Sequence, residues 1–178
     1  MRESSKAALG GIVAALSVVI MLATYLSPLL VYTAPPFAGI LLIVILEELD
    51  LKWAFGTYVA ISLLSLFMIA DKEAAVFFTL FFGYYPILRA FFSTKIKKKQ
   101  VLLLLGWIVF NVASAAAILL CAFVFHIDYG EFYENGKLFV ILTIFLMNVV
   151  FIVYDFLLVR VHTYYRLKIK SKIKKIFK

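Results

Sequence analysis

The sequence predicts an all-α polytopic membrane protein, a bundle of six transmembrane helices with both termini cytoplasmic. Three observations lead there. Six apolar stretches, Ala7–Leu26, Leu29–Leu46, Trp53–Ala70, Ala74–Phe92, Val101–Phe125 and Leu138–Val159, each approach the ~20 residues that cross ~30 Å of hydrocarbon. Hydrophobic residues make up 65% of the chain against 16% charged, and a water-soluble domain of this size needs far more polar surface. The positive charge is one-sided. With the N-terminus inside, Lys72 and Lys137 are the only two of 18 Lys and Arg left outside, which sets the orientation by the bias of basic residues toward the cytoplasm. The expected location is the cell membrane, crossed several times. Residues 1–163 read as one transmembrane domain and residues 164–178 as a basic cytoplasmic tail; the short connections leave no room for a second domain.

The elements follow in order. Arg2 and Lys6 precede the first stretch as they would in a signal peptide, but the apolar run is long and Pro28 leads directly into another span, so a retained helix is expected. Ser27-Pro28 makes the first outer turn. In the second span, Pro35 and Pro36 remove two successive backbone donors, which predicts a kink or a partly unwound segment. Such breaks serve either packing or a transport site. Glu47, Glu48, Asp50 and Lys52 form an inner loop, and Asp71-Lys72-Glu73 a tight outer turn with Asp71 placed to cap the fourth helix. Within Phe81–Arg89, Gly83 and Pro86 weaken the fourth helix at mid-membrane; Tyr84 and Tyr85 there either line a cavity or pack as aromatics. Lys95–Gln100 is a basic inner loop. The outer loop His126–Lys137 is acidic and aromatic, suited to the interface and to closing over a ligand. From Tyr164 onward Lys alternates with Ile or Ser, a pattern for lying on anionic inner-leaflet lipid or for a solvated tail.

Catalytic signatures are missing: no HExxH, no Gly-rich phosphate loop and no GxSxG. No enzyme activity, cofactor or metal is expected. His126 and His162 fall on opposite sides of the membrane, and Cys121 is the single cysteine. The net charge of +8 is concentrated where it meets anionic lipid headgroups, so lipid and not nucleic acid is the expected partner. Polar residues inside the spans are few. Asn111 and Asn148 suit interhelical hydrogen bonds. Asp155 lies two turns beyond Asn148, and Arg89 lies one turn beyond Tyr85 on a helix of the same direction. An Arg and an Asp at one depth in lipid either pair or face a substrate. The candidate solute contacts are Tyr32, Tyr84, Tyr85, Asn148, His126 and Tyr129. In the first helix Ala7, Gly11 and Ala15 recur every four residues, as do Gly10 and Ala14; small residues at that spacing admit another helix, within the bundle or from a partner.

Six short-looped helices, the basic N-terminus and the Ala7–Leu16 opening of the first helix resemble the S component of energy-coupling factor transporters. That resemblance implies a small bacterial membrane subunit that captures a vitamin or metal ion from outside. It also implies that Ala7, Gly11 and Ala15 dock on a coupling membrane subunit seated on two ATPases. The solute pocket would then lie toward the outer side, near Tyr32–Pro36 and His126–Asn135. The acidic bias of the outer loops favours an organic cation or aromatic ring as ligand. The alternative is a non-transporting membrane scaffold of a bacterial cell-envelope complex, similar to small cell-shape proteins, with the first helix and basic tail recruiting partners and lipid.

Overall fold

The computed structural model describes residues 2–27, 29–127, 130 and 137–169. It is helical throughout, with no strand among the described residues. Helix α1 covers Glu3–Leu22 and tightens into a 3₁₀ turn over Ala23–Leu26. Helices α2, Leu29–Glu48, and α3, Leu51–Met68, follow. The fourth crossing is composite: α4 over Lys72–Phe77, a π turn over Phe78–Phe82, and α5 over Tyr85–Lys95. Helix α6 spans Lys99–Val124, and α7 spans Lys137–Tyr164 with a further π turn over Tyr165–Ile169. Six helical segments are long and apolar enough to cross a membrane.

Helices α2 and α4–α5 form the centre. Helix α2 touches α1, α3, α5 and α7, while the fourth crossing also packs on α6. Helix α7 is the barest, with 17% of its apolar window buried against 50% for the fourth crossing. The outward faces carry large apolar side chains such as Ile12, Leu16, Phe67, Val112, Phe123 and Phe145. Inside, small residues set the spacing. Gly39 of α2 lies against the Phe82 carbonyl and the Tyr154 hydroxyl, Gly106 of α6 against the Tyr85 hydroxyl, and Gly10 of α1 against Thr57. Ala34, Ala38, Ala74, Ala75 and Ala117 are similarly buried. Where helices are long and apolar enough to cross a membrane, burying apolar area against one another would gain little in lipid, and close approach of this kind is the compensating attraction.

Helix ends use local chemistry. Asp50 is a structured N-cap, its carboxylate accepting the Trp53 N–H at 2.9 Å. Asp71 occupies the N-cap position of α4, but its side chain makes no capping bond. The neighbouring Lys72 instead donates to the Leu66 and Ile69 carbonyls, at 2.9 and 2.8 Å, and closes the end of α3.

One expectation is corrected: α2 is helical throughout Leu29–Glu48, so Pro35 and Pro36 do not unwind it. The prolines deprive the Val31 and Tyr32 carbonyls of their usual donors, a loss the surrounding turns absorb. Helical structure continues past residue 164, where Tyr165 is buried and Arg166 docks on α2. The remainder of the basic tail from residue 170 lies outside the described residues.

The break in the fourth crossing has a traceable cause. At Phe78–Phe82 the Gly83 N–H reaches back to the Phe78 carbonyl at 2.8 Å and not to Thr79. Pro86 has no N–H to offer the Phe82 carbonyl. Two main-chain oxygens are thus released, and tyrosines from neighbouring helices take both. The Tyr58 hydroxyl of α3 donates to the Thr79 carbonyl at 2.8 Å, and the Tyr154 hydroxyl of α7 to the Phe82 carbonyl at 2.9 Å. Interruptions of this kind are tolerated where protein re-satisfies the backbone.

Candidate functional site

A polar cluster in the interior is built by α5 and α7. Arg89 and Asp155 form a two-pronged ion pair, Nε to Oδ1 at 2.5 Å and Nη2 to Oδ2 at 2.9 Å. The Tyr85 hydroxyl, one turn before Arg89, donates to the same Oδ1 at 2.7 Å. Asp155 is 6% exposed, so these bonds stand in for the water it gave up. The planar guanidinium matches a carboxylate with two parallel bonds, which an ammonium cannot do. Aromatic rings wall the site: Tyr85 stacks on Phe81 at 4.7 Å, and Phe110 on Phe151 at 5.1 Å. Tyr85 and Arg89 share one face because four residues complete about one turn.

Beside this pair is a cleft of about 170 Å³ between α2, α5 and α7. Ile43, Pro86 and Leu158 line its deeper part, Arg89 one wall, and Ser93, His162 and Thr163 the end toward the basic termini of the helices. Next to it lies a second ionic cluster. Glu47, 7% exposed, receives His162 Nε2 at 3.0 Å and Arg166 Nε at 2.8 Å, and the Tyr165 hydroxyl reaches Glu48 at 3.0 Å. The sequence placed Glu47 and Glu48 in an inner loop. They belong instead to the last turn of α2. The signal for this was present: His162 and Arg166, four apart at the end of an apolar helix, share a face at the depth of an acidic pair.

The predicted solute contacts divide among separate surroundings. Tyr32 is 47% exposed, hydrogen-bonds Glu73 at 3.3 Å and rests edge-on against Phe77. Tyr84 packs edge-on to Tyr58 and Phe81, while Tyr85 is committed to Asp155. Asn148 joins Asn111 and Trp107 between the middle turns of α6 and α7; its Oδ1 accepts from Trp107 Nε1 at 2.6 Å and from Asn111 Nδ2 at 3.1 Å. His126, exposed beyond the end of α6, has φ 52. It fills the left-handed position that commonly ends a helix, and the following Ile127 N–H returns to the Cys121 carbonyl. Tyr129 lies outside the described residues.

The two small-residue rows of α1 separate cleanly. Gly10 and Ala14 are buried against the bundle, whereas Ala7, Gly11 and Ala15 are exposed. Ala7 and Gly11 of the exposed row, with Gly10 and Ala14 at the base, form one wall of an open groove of about 370 Å³ between α1 and α3, whose other wall includes Trp53, Gly56 and Ala60; Ala15 does not line it. A side-chain carbon added at Gly11 or Gly56 would meet nothing within 4 Å. No group of three His, Cys, Asp or Glu able to hold a metal occurs among the described residues.

Comparison with protein-family models, with curated proteins and with solved structures gives no match for this chain.

Proposed function

We propose that this protein is a multi-pass cell-membrane subunit of S-component type, which captures a small solute from outside and works through a membrane partner. The observation that carries the reading is the groove between α1 and α3. Its lining includes Gly11, Gly56 and Ala60, and a carbon added at Gly11 or Gly56 meets nothing within 4 Å, which leaves these small residues open to close approach by another helix. The occupant we assign is a transmembrane helix of a coupling subunit, itself bearing small residues at the contact. The chain carries no recognisable phosphate-binding loop, so ATPases bound to that coupling subunit would supply the energy. In this reading both termini are cytoplasmic, and the basic helix ends face anionic lipid.

One observation favours the scaffold alternative: the candidate solute contacts sit in separate surroundings, with Tyr32 on Glu73, Tyr85 on Asp155 and Asn148 on Trp107. The groove serves either reading, and the partner's identity separates them. The test is a photo-crosslinker at Gly11 in the intact protein in its own membrane, followed by mass spectrometry. Crosslinks to a membrane subunit that co-purifies with two ATPases support solute uptake. Crosslinks to cell-wall synthesis proteins refute uptake and support the scaffold. Without crosslinks from Gly11, the docking reading fails.

A further inference from the structure

We infer that the cleft between α2, α5 and α7 binds a phosphate ester, and that the headgroup of an anionic phospholipid occupies it. The inference is independent of the α1–α3 groove and of any solute carried.

The cleft is graded along the helix axes. Pro86 and Leu158 lie deep, while Ser93, His162 and Thr163 line the end near the basic helix termini. Seven residues separate Pro86 from Ser93, so the gradient extends over roughly 10 Å at about 1.5 Å per residue. A phospholipid has the same ordering at a membrane boundary, with its phosphate at the surface and hydrocarbon below. The volume of about 170 Å³ equals that of roughly six waters in the liquid. That suits a headgroup and the first carbons of its glycerol, with the acyl chains lying along the bare apolar face of α7.

The charge balance selects an anion. Asp155 engages two of the five N–H donors of Arg89, and the guanidinium also lines the cleft. A second nearby carboxylate, Glu47, already faces both Arg166 and His162. Lys95 and Arg160 sit close to the mouth in sequence, each over an aromatic ring of its own helix. Three carboxylates, Asp155, Glu47 and Glu48, thus face the Arg89 and Arg166 guanidinium groups and the His162 imidazole, with Arg160 and Lys95 adjacent in sequence to carry the balance to the positive side. Ser93 and Thr163 hydroxyls donate to the Ala90 and Val159 carbonyls, and their lone pairs and exposed oxygens keep the mouth polar. Basic notches between transmembrane helices near the cytoplasmic face are a recurrent way to hold phosphorylated headgroups.

The test uses the full chain and native mass spectrometry, with phosphatidylglycerol and phosphatidylcholine of identical acyl chains. Phosphatidylglycerol should be retained preferentially. Ser93→Glu, which places a negative charge at the mouth, and Ser93→Trp, which fills it, should each lower that retention at least about fivefold, the worth of one basic contact at such a surface. Both leave Arg89 and Asp155 untouched, and their helical content checks that they fold. Displacement of the lipid by glycerol 3-phosphate would keep the phosphate chemistry but overturn the lipid source. Equal retention of the two lipids, or unchanged retention in both Ser93 variants, overturns the site.

Discussion

Removing the carboxylate of Asp155 should destabilise the bundle far more than its size suggests. Asp155→Leu deletes three hydrogen bonds at once, two from Arg89 and one from Tyr85. The larger cost comes from what remains. Arg89 lies six residues from the end of α5 at Lys95, roughly 9 Å from it along the axis. A lone guanidinium at the membrane centre costs about 2.5–3.5 kcal/mol on insertion scales, somewhat less at this depth because the side chain can stretch toward the surface. A Tyr85 hydroxyl deprived of its acceptor adds about 1–3 kcal/mol. The expected loss is about 3–5 kcal/mol, as for other broken buried pairs. Arg89→Leu alone should cost nearly as much by stranding the carboxylate. The double variant Arg89→Leu, Asp155→Leu should recover at least about 2 kcal/mol relative to either single change, because no charge is left unmatched. Denaturant unfolding in mixed micelles, followed by circular dichroism, gives the three values and their coupling. A double variant as unstable as the worse single one would refute the argument, as would Asp155→Leu costing under about 1 kcal/mol.

Three further outcomes are expected. Gly39→Ala would put a carbon 2.2 Å from the Phe82 carbonyl and 2.6 Å from the Tyr154 hydroxyl; α2 must move away from the fourth crossing, and thermal unfolding should show a loss of at least about 2 kcal/mol, toward the upper part of the overpacking range. Gly11→Leu should change stability by less than about 0.5 kcal/mol, since nothing stands within 4 Å, yet abolish co-purification of the partner helix. Asn148→Leu removes the acceptor of both Trp107 and Asn111; it should cost about 1 kcal/mol and shift the indole emission of Trp107, read as a difference from a Trp107→Phe background.

The six helical segments were legible because the length and apolar character of each run are properties of the chain alone. The sequence also set Tyr85, Arg89 and Asp155 at one depth, since periodicity and helix direction suffice for that. Details that depend on a neighbour were harder. Two consecutive prolines in α2 looked like a break; the helix persists because only two carbonyls lose donors and packing holds the turns. Glu47 looked like a loop residue because its partners, His162 and Arg166, are more than a hundred residues away. The division of α1 into a buried Gly10/Ala14 row and an exposed Ala7/Gly11/Ala15 row was undetermined, because both rows have the same spacing and the same small residues. Only the positions of α2 and α3 decide between them.

The tyrosine bonds to the Thr79 and Phe82 carbonyls have a consequence for how this molecule tolerates change. Both acceptors are main-chain atoms, so replacing the side chain at either position leaves the oxygen in place. The tie depends on the tyrosine and on the course of the backbone, which Gly83 and Pro86 help to fix. Substitutions are therefore partitioned unequally across each contact. The bonds themselves make no demand on the side chains at 79 and 82, although the Phe82 ring is still held by its packing on Tyr154, while Tyr58, Tyr154, Gly83 and Pro86 carry the hydrogen-bonding constraint. Among diverged relatives, these four positions should stay fixed after the residue at 79 has begun to vary, and residue 82 should vary only among apolar side chains that keep the core filled.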